Sequence, residues 1–377
     1  MPKKNLRRES CKKTLSHSHN PHFMSVTHHH TTELTPCELC QSSTFTILAD
    51  KDRDGAPLQT VLCQDCGLVF TNPRPSDEAL RDFYRESYRQ EYKNAVKPKL
   101  KHVYRAGSVA LDRLDYLIPL LKPGNSILDL GSGGGEMLFI LRGLGYNVEG
   151  IEPNVGYGSA ARDLLGLPVQ VTHYSEAKVE PGSQDVVTAF HVVEHLPHPI
   201  EALATMASWM RDDGLMLIEV PHALSRCQWP QSRYHIGHLH HFSSSTLTLA
   251  GQKAGLEHVD SFTSQDGGNL MVIFRKKRDT TAAPAAIIPG HSQRVLRHYQ
   301  KHTNLRHALT PLPYIRPLEK AARGLIEKTT LLKFDNAHDV LDHLVKKAKA
   351  IQHKAISQSG HRHCQENLGT APCCCEG

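Results

Sequence analysis

The stretch Ile127–Glu136 reads ILDLGSGGGE and decides the fold. An apolar strand runs directly into a glycine-rich turn, and a helix start follows. Glycines let the backbone approach a ligand closely, and the first N–H groups of a helix lack partners within the helix. The dinucleotide fingerprint G-x-G-x-x-G needs glycine at position 136, which is glutamate, and the Gly-Lys-Ser/Thr of a phosphate loop is absent. The turn is therefore predicted to bind a ligand that lacks a pyrophosphate.

A second strand lies downstream of this turn and ends at an acid. The apolar run Val148–Ile151 leads into Glu152, which is followed by Pro153 and Asn154. A carboxylate at the tip of the second strand can accept both hydroxyls of a ribose. The glycine turn and the acid, in this order and at this spacing, predict one ligand site.

Short apolar strands and amphipathic helices alternate around these motifs, from Asn125 to about Lys277. The predicted strands are Ile127–Leu130, Val148–Ile151, Val169–Val171, Val186–Phe190, Leu215–Val220, Glu257–Phe262 and Leu270–Phe274. This alternation is typical of an open, mostly parallel α/β sheet. Only a few residues, centred on Gly267 and Gly268, separate the last two strands. No crossover helix fits there, so the last strand is predicted to be antiparallel.

Two cysteine pairs precede the α/β region. Cys37-Glu-Leu-Cys40 and Cys63-Gln-Asp-Cys66 each place two thiolates on one tight turn, with about twenty residues between the turns, the interval of a small zinc ribbon. Four thiolates suit tetrahedral Zn²⁺, and a site with all four positions closed is structural. The sequence therefore predicts a structural zinc ion held by these four cysteines.

The composition excludes several classes of protein. The chain has 377 residues, 39% hydrophobic and 22% charged, and no apolar run reaches the ~18 residues of a membrane span. An integral membrane protein and a wholly disordered chain are excluded, and a formal net charge of +6 does not by itself indicate nucleic acid. The basic first residues predict no secretory signal. The cysteine pairs fit a reducing compartment, the cytoplasm, better than a disulfide framework.

The same patterns predict the division of the chain. The expected parts are a disordered N-terminal segment (1–33), a zinc-ribbon module (34–75), a helical linker (76–122), the α/β domain (123–278), a linker (279–290), a helical extension (291–355) and a flexible tail (356–377). Met24 lies just ahead of the first ordered-looking segment and is a candidate start. In the helical linker, Phe83, Tyr84, Tyr88 and Tyr92 recur at helical spacing.

Residues 126–277 resemble a class I S-adenosylmethionine-dependent methyltransferase. The glycine turn and Glu152 carry this resemblance, together with DVVTAFHVVEHLPHPIEAL at 185–203, DGLMLIEVP at 213–221 and GHLHHFSSSTL at 237–247. The order is similar to bacterial small-molecule methyltransferases, some of which resemble deoxysugar C-methyltransferases with an N-terminal zinc-binding module. The resemblance implies a Rossmann-like doubly wound sheet with an antiparallel last strand.

The resemblance also implies roles for individual residues. It assigns the glycine turn to the methionine part of S-adenosylmethionine, Glu152 to the ribose, and His191 to the side that faces the substrate. The implied cofactor-binding residues are Asp129, Gly131, Ser132, Gly133, Gly135, Glu152, Asn154 and His191.

Methyl transfer to a hydroxyl or an acidic carbon benefits from a general base, and histidine is the usual choice. The preferred catalytic candidates are His191 and His195 with Glu194, while His238, His240 and His241 are further candidates. The alternative interpretation of Glu194 and His195 is local capping and packing.

Three functions remain open at this point. The leading prediction is a methyltransferase that acts on a small molecule, a sugar or a cell-envelope glycan precursor. The second is an RNA-modifying methyltransferase, which would grip RNA through the zinc ribbon and the basic C-terminal helices. Charge runs are usually solvated, however, and no RNA-binding motif with interleaved aromatic residues is present. The third is a non-catalytic zinc-binding interaction protein, which the intact glycine turn and Glu152 disfavour.

Overall fold

The computed structural model describes residues 32–87, 98–277 and 287–367. Several predictions concern residues outside these ranges. They are nearly all of the N-terminal segment 1–33 with Met24, the tyrosines Tyr88 and Tyr92, most of the linker 279–290 and the end of the tail.

Strands and helices alternate along most of the described chain. The strands are β1 (Thr32–Glu33), β2 (Phe45–Lys51), β3 (Pro57–Cys63), β4 (Val69–Thr71), β5 (Arg74–Pro75), β6 (Ser126–Leu130), β7 (Asn147–Ile151), β8 (Val169–Gln170), β9 (Gln184–Phe190), β10 (Met210–Pro221), β11 (His240–His241), β12 (Leu256–Thr263) and β13 (Asn269–Lys276). The helices are α1 (Asp77–Asp82), α2 (Leu100–Leu117), α3 (Glu136–Gly143), α4 (Val155–Leu165), α5 (Pro199–Trp209), α6 (Ser244–Lys253), α7 (His291–Lys301), α8 (Asn304–Ala308), α9 (Leu312–Leu331) and α10 (Ala337–Asn367).

A seven-stranded sheet forms the centre of the chain, with the strand order β12-β13-β10-β9-β6-β7-β8. Strands β6 to β10 pair in parallel. Strand β13 lies between β10 and β12 and is antiparallel to both. The predicted doubly wound α/β sheet with an antiparallel last strand is confirmed. This order brings the carboxyl ends of β6, β7, β9 and β10 to one edge of the sheet, where ligands of such folds bind.

Local sequence explains where the helices around this sheet begin. Helix α5 starts at Pro199, whose fixed φ suits the first helical position. Helix α6 is preceded by a capping box, in which Ser243 and Thr246 exchange hydrogen bonds between side chain and backbone. Helix α3 follows Gly135 directly, and most of its residues are buried against the sheet.

The cysteine-containing segment forms a second, four-stranded sheet in the order β11-β4-β3-β2. Strand β11 comes from the α/β domain, and its His240 and His241 pair with Phe70 and Val69 of β4. Arg74 adds a second connection, because its buried guanidinium donates to the Pro197 carbonyl at 2.7 Å. The cysteine module and the α/β domain are therefore joined by backbone and side-chain hydrogen bonds.

Helix α10 completes the core on one side of the large sheet. Val340, Leu341 and Leu344 are buried and belong to the same apolar cluster as Leu114 of α2 and Leu138 of α3. The helical C-terminus is confirmed. The helix continues to Asn367, past residue 356, where the sequence predicts that a flexible tail begins. No proline interrupts this stretch, and a helix anchored by its first turns can propagate.

Helix α9 differs from α10 in what covers its apolar residues. The sequence predicts an apolar face with Ile315, Leu318, Ala322, Leu325 and Ile326. In the structure, Leu318 is 71% exposed and Leu325 is 66% exposed, so this apolar face is largely uncovered.

Within the described ranges, no helix combines the length and the apolar character needed to cross a membrane.

Candidate functional site

The glycine turn lies at the carboxyl end of β6, between that strand and α3. Gly131, Gly133 and Gly135 have positive φ angles of 74°, 58° and 82°, a region that side chains disfavour. A Cβ atom on Gly131 would lie 2.4 Å from a methyl group of Val192, and one on Gly135 would lie 2.4 Å from a methyl group of Leu167. Glycine is therefore required at positions 131 and 135 by both conformation and space, and it is favoured at position 133 by conformation.

Glu152 ties the second strand to this turn. Its Oε2 accepts a hydrogen bond from the Gly133 N–H at 2.7 Å, and its Oε1 accepts one from the Asn154 N–H at 3.0 Å. Asn154 in turn caps α4 by accepting from the Tyr157 N–H at 3.1 Å. Each carboxylate oxygen has more than one lone pair, so the same group can also accept hydrogen bonds from a ligand.

Two further polar groups are buried at the turn. The Ser132 hydroxyl is buried and has no hydrogen-bond partner among the described residues. Asp129 is 3% exposed, and its Oδ1 accepts a hydrogen bond from the Thr188 hydroxyl at 2.7 Å. Burial raises the pKa of Asp129 to about 7, against the opposing influence of the Thr188 hydrogen bond and of Arg113, while Glu152 adds to the increase. The predicted cofactor residues Asp129, Ser132 and Glu152 therefore form one polar cluster around the turn.

Replacement of Asp129 with asparagine is expected to change how stability depends on pH. The pKa of Asp129 is higher in the folded chain, about 7 against an ordinary 3.8. The stability that its protonated form contributes is thus fully present below pH 3.8 and is lost as the pH rises through 7. The asparagine side chain stays neutral and can still accept from Thr188. Denaturant unfolding of Asp129→Asn should show a stability relative to wild type that increases from pH 4 to pH 8, by up to ~4 kcal/mol.

The exposed Asp212 provides the matched control for this experiment. The difference in unfolding free energy between Asp212→Asn and wild type should stay nearly constant over the same pH range. If the stability difference between Asp129→Asn and wild type is also constant with pH, folding does not raise the pKa of Asp129.

A charged network that the sequence reasoning missed lies at the end of β10. Glu219 is 3% exposed, and its carboxylate accepts from Arg113 at 2.8 and 3.1 Å and from the Tyr116 hydroxyl at 2.6 Å. Burial would raise the pKa of Glu219, but hydrogen bonds from His191 and Arg113 outweigh it and lower the pKa well below the usual range. The available signal was a single carboxylate within the apolar strand LMLIEVP.

His191 lies between two carboxylates, just past the end of β9. Its Nδ1 is 3.2 Å from Glu194 Oε1, and its Nε2 is 3.0 Å from Glu219 Oε1. Carboxylates only accept, so both ring nitrogens must donate and the ring is an imidazolium. Burial would lower the pKa of His191, but these two hydrogen bonds raise it to about 9. The φ angle of His191 is +56°, which is unusual for a residue with a side chain.

Glu194 is also close to two other histidines. Its Oε1 lies 3.7 Å from His195 Nε2 and 4.0 Å from His238 Nε2, while its Oε2 is buried without a hydrogen-bond partner in the described ranges. His195 Nδ1 faces the Gly237 carbonyl and the Tyr84 hydroxyl. The ligand atoms of Glu194, His195 and His238 all lie within 4.8 Å of one another. We call these three residues the Glu–His–His cluster.

A cavity of about 340 Å³ lies beside His191 and the Glu–His–His cluster. Its wall is rich in basic and imidazole side chains, among them Arg53, Arg233, Arg316, His191, His238 and His241. Arg233 lies over the Tyr299 ring, with 4.8 Å from its guanidinium carbon to the ring centroid, and Arg316 pairs with Asp266 at 2.5 Å. Burial lowers the pKa of His238 well below its ordinary value, so this ring is neutral at pH 7.

The sequence reasoning named His191, His238 and His241 but not the arginines. Arg53 follows β2 of the cysteine module, and Arg316 comes from α9 of the C-terminal extension. No local pattern connects these distant residues. The cavity wall is therefore built from all three parts of the chain.

The predicted site residues thus form three groups: the glycine turn with Glu152, the histidines around Glu194, and the four cysteines. The first two groups are neighbours, because the glycine turn contacts Val192, which follows His191. The third group is the cysteine cluster, in which Cys37 Sγ is 3.5 Å from Cys66 Sγ and Cys40 Sγ is 3.4 Å from Cys63 Sγ. These four sulfur atoms all lie within 4.8 Å of one another. Tetrahedral zinc with bonds of about 2.3 Å separates its sulfur ligands by roughly 3.8 Å, so the cluster fits a Zn²⁺ ion.

Comparisons with known proteins agree with this geometry. Residues 101–261 match a family model described as a methyltransferase domain. The chain is 25% identical over 250 residues to the C-methyltransferase NovU of Streptomyces niveus. This alignment covers 64% of this chain and 55% of that protein. It is 36% identical over 99 residues to the ubiquinone biosynthesis O-methyltransferase of Burkholderia vietnamiensis, covering 24% of this chain and 42% of that protein. The matched region thus spans about half the length of these curated relatives.

Solved structures were also compared. The S-adenosylmethionine dependent methyltransferase from Mesorhizobium loti shares 15% identity at a TM-score of 0.38, covering 44% of this chain and all of that chain. The family match rests instead on the methyltransferase-domain model and the curated relatives, and it coincides with the observed strand order and glycine turn. Residues 101–261 thus match the methyltransferase-domain family, in agreement with the resemblance to class I S-adenosylmethionine-dependent methyltransferases.

Proposed function

We propose that the protein transfers a methyl group from S-adenosylmethionine to a small molecule that carries an anionic group, a sugar or a cell-envelope glycan precursor. The observation that carries this proposal is the hydrogen-bonded pair of glycine turn and Glu152, next to a cavity lined by arginines and histidines. The family match supports the reaction class.

The cofactor residues follow from the geometry of the turn. The turn formed by Gly131, Gly133 and Gly135 would approach the methionine part with its backbone, and the Ser132 hydroxyl offers a buried polar group without a partner in the described ranges. Glu152 would accept hydrogen bonds from the ribose hydroxyls. The Asn154 N–H helps to hold the Glu152 carboxylate in place by donating to its Oε1. When bound, the cofactor supplies a methyl group on a sulfonium. The chain then has to align the acceptor with that methyl group, and alignment alone accounts for much of such a reaction's acceleration.

The acceptor cavity favours negative charge. Arg53, Arg233 and Arg316 all line it, and guanidinium groups match carboxylate and phosphate oxygens in pairs. A phosphorylated or otherwise acidic sugar fits this wall better than a neutral lipid does. The names of the relatives include one C-methyltransferase and one O-methyltransferase, and both kinds of acceptor develop negative charge on a carbon or an oxygen atom.

His191 would stabilise that charge. Its imidazolium ring lines the cavity and is held in place by Glu194 and Glu219. A fixed cation near a developing oxyanion lowers the barrier more than a mobile one, because no reorganisation is needed. Both ring nitrogens are used as donors to Glu194 and Glu219, so His191 stabilises charge and does not remove the proton from the acceptor.

We also propose that the four cysteines hold one Zn²⁺ ion, which closes the small sheet on the α/β domain. Four thiolates leave no coordination position for a substrate, so this ion is structural. Such a site needs reduced cysteines, which agrees with a location in the cytoplasm.

Binding of S-adenosylhomocysteine tests the proposal without knowledge of the acceptor. Calorimetric titration of the full chain should show one site with micromolar or tighter affinity, which corresponds to at least ~8 kcal/mol. Circular dichroism in parallel checks that the protein is folded. Folded protein that binds neither S-adenosylhomocysteine nor S-adenosylmethionine would contradict the proposed function.

A further inference from the structure

We propose that the Glu–His–His cluster, formed by Glu194, His195 and His238, binds a divalent transition-metal ion of the Zn²⁺ type at the edge of the acceptor cavity. This site is separate from the four cysteines and goes beyond the proposed function, because metal binding there does not depend on methyl transfer.

The distances within the cluster are those of metal ligands rather than of hydrogen bonds. His195 Nε2 and His238 Nε2 lie 3.7 and 4.0 Å from Glu194 Oε1, beyond the ~3.2 Å limit of an ordinary hydrogen bond. Zinc bonds to nitrogen and oxygen are about 2.0–2.2 Å long, so tetrahedral ligands lie roughly 3.3–3.5 Å apart. A small contraction around an ion would bring the three groups to that separation.

Burial of Glu194 gives a second, independent reason. The side chain is 1% exposed, its Oε1 faces His191, and its Oε2 is buried without a hydrogen-bond partner in the described ranges. An unpaired oxygen of a buried carboxylate is costly. A metal ion held by both oxygens of this carboxylate and by the two imidazoles would satisfy Oε2 and also bind Oε1, the oxygen that faces His195 and His238.

The orientation of His195 fits the role of a ligand. Its Nδ1 faces the Gly237 carbonyl, and a histidine that donates from Nδ1 carries its lone pair on Nε2. Metal-binding histidines commonly donate their other nitrogen to a carbonyl or carboxylate, which fixes the ring. The Nε2 atom is the one that faces Glu194.

The chemistry of the ligand set predicts an open site. Two histidines and one glutamate leave at least one coordination position for an exogenous oxygen. His238 is part of the cavity wall, so this position would face the cavity and would take a hydroxyl or carbonyl oxygen of the molecule bound there.

Equilibrium binding of Co²⁺ to the full chain tests the inference. Cobalt bound to thiolates and cobalt bound to nitrogen and oxygen ligands absorb differently, which separates this site from the cysteine site. We expect one Co²⁺ equivalent with nitrogen and oxygen ligands that persists in Cys63→Ser. In Glu194→Gln, which is nearly isosteric, and in His238→Ala, its affinity should fall by at least tenfold.

His235→Ala is the matched control. His235 lines the same cavity and its ring centroid lies 3.7 Å from that of His238, but it is not a member of the cluster, so its loss should leave the Co²⁺ equivalent in place. Absence of this equivalent in wild type, or its unchanged affinity in folded Glu194→Gln, would overturn the inference. Because no cofactor is used, a chain that binds Co²⁺ here but not S-adenosylhomocysteine would contradict only the proposed function.

Discussion

Replacement of Cys63 with serine is expected to lower the zinc content of the purified protein by about one equivalent, the one held at the cysteine cluster. Structural zinc contributes an apparent ~10–16 kcal/mol in small zinc-binding peptides, so loss of one of four ligands should also lower the melting temperature of the small sheet. Elemental analysis and thermal unfolding measure the two effects. The glycine turn lies outside this sheet, so S-adenosylhomocysteine binding should persist.

Cys227→Ser provides the control for this prediction. Cys227 is buried but lies outside the cysteine cluster, so its replacement should leave the zinc content unchanged. Wild-type protein purified without chelator and found to contain no zinc would rule out the metal at the four cysteines.

The second large effect is expected at Glu152. Alanine at this position removes the carboxylate that would accept the ribose hydroxyls, with charge-assisted hydrogen bonds worth roughly 1.5–3 kcal/mol each at most. It also leaves the N–H groups of Gly133 and Asn154 without their acceptor. The affinity for S-adenosylhomocysteine should fall by on the order of tenfold to several hundredfold, since ~1.4 kcal/mol is a factor of ten.

Glu149 offers a matched comparison on the same strand. It belongs to β7 but is exposed, so Glu149→Ala should bind the ligand as wild type does. Glu152→Gln keeps one carbonyl acceptor and should fall between wild type and Glu152→Ala. Equal affinities in Glu152→Ala and wild type would show that Glu152 only holds the turn together.

The sequence was sufficient for the α/β domain because its signals are local. Most strands of the large sheet contain a short apolar run, and the glycine turn and Glu152 directly follow two of these runs. The short connection between β12 and β13 was enough to predict the antiparallel strand. These features depend on neighbouring residues, which a single sequence displays.

The remaining features depend on residues far apart in the chain. Arg113 and Glu219 are 106 positions apart, and neither has a local pattern that names the other. Strand β11 has only two residues, both histidines, and is a strand only because β4 lies beside it. The pairing of His191 with two carboxylates likewise requires the strand order to be known, since Glu219 reaches it from β10.

The pairing of β11 with β4 also has a consequence for synthesis of the chain on the ribosome. Val69 of β4 and His241 of β11 are separated by about 170 residues. At roughly 5–20 residues per second, translation reaches β11 on the order of 10–30 seconds after β4 has been made. During that interval the outer edge of β4 has no neighbouring strand, and open strand edges attract other chains. Completion of the amino-terminal sheet is therefore expected to be a slow stage in the biogenesis of this protein, because its four cysteines are translated long before their sheet is complete.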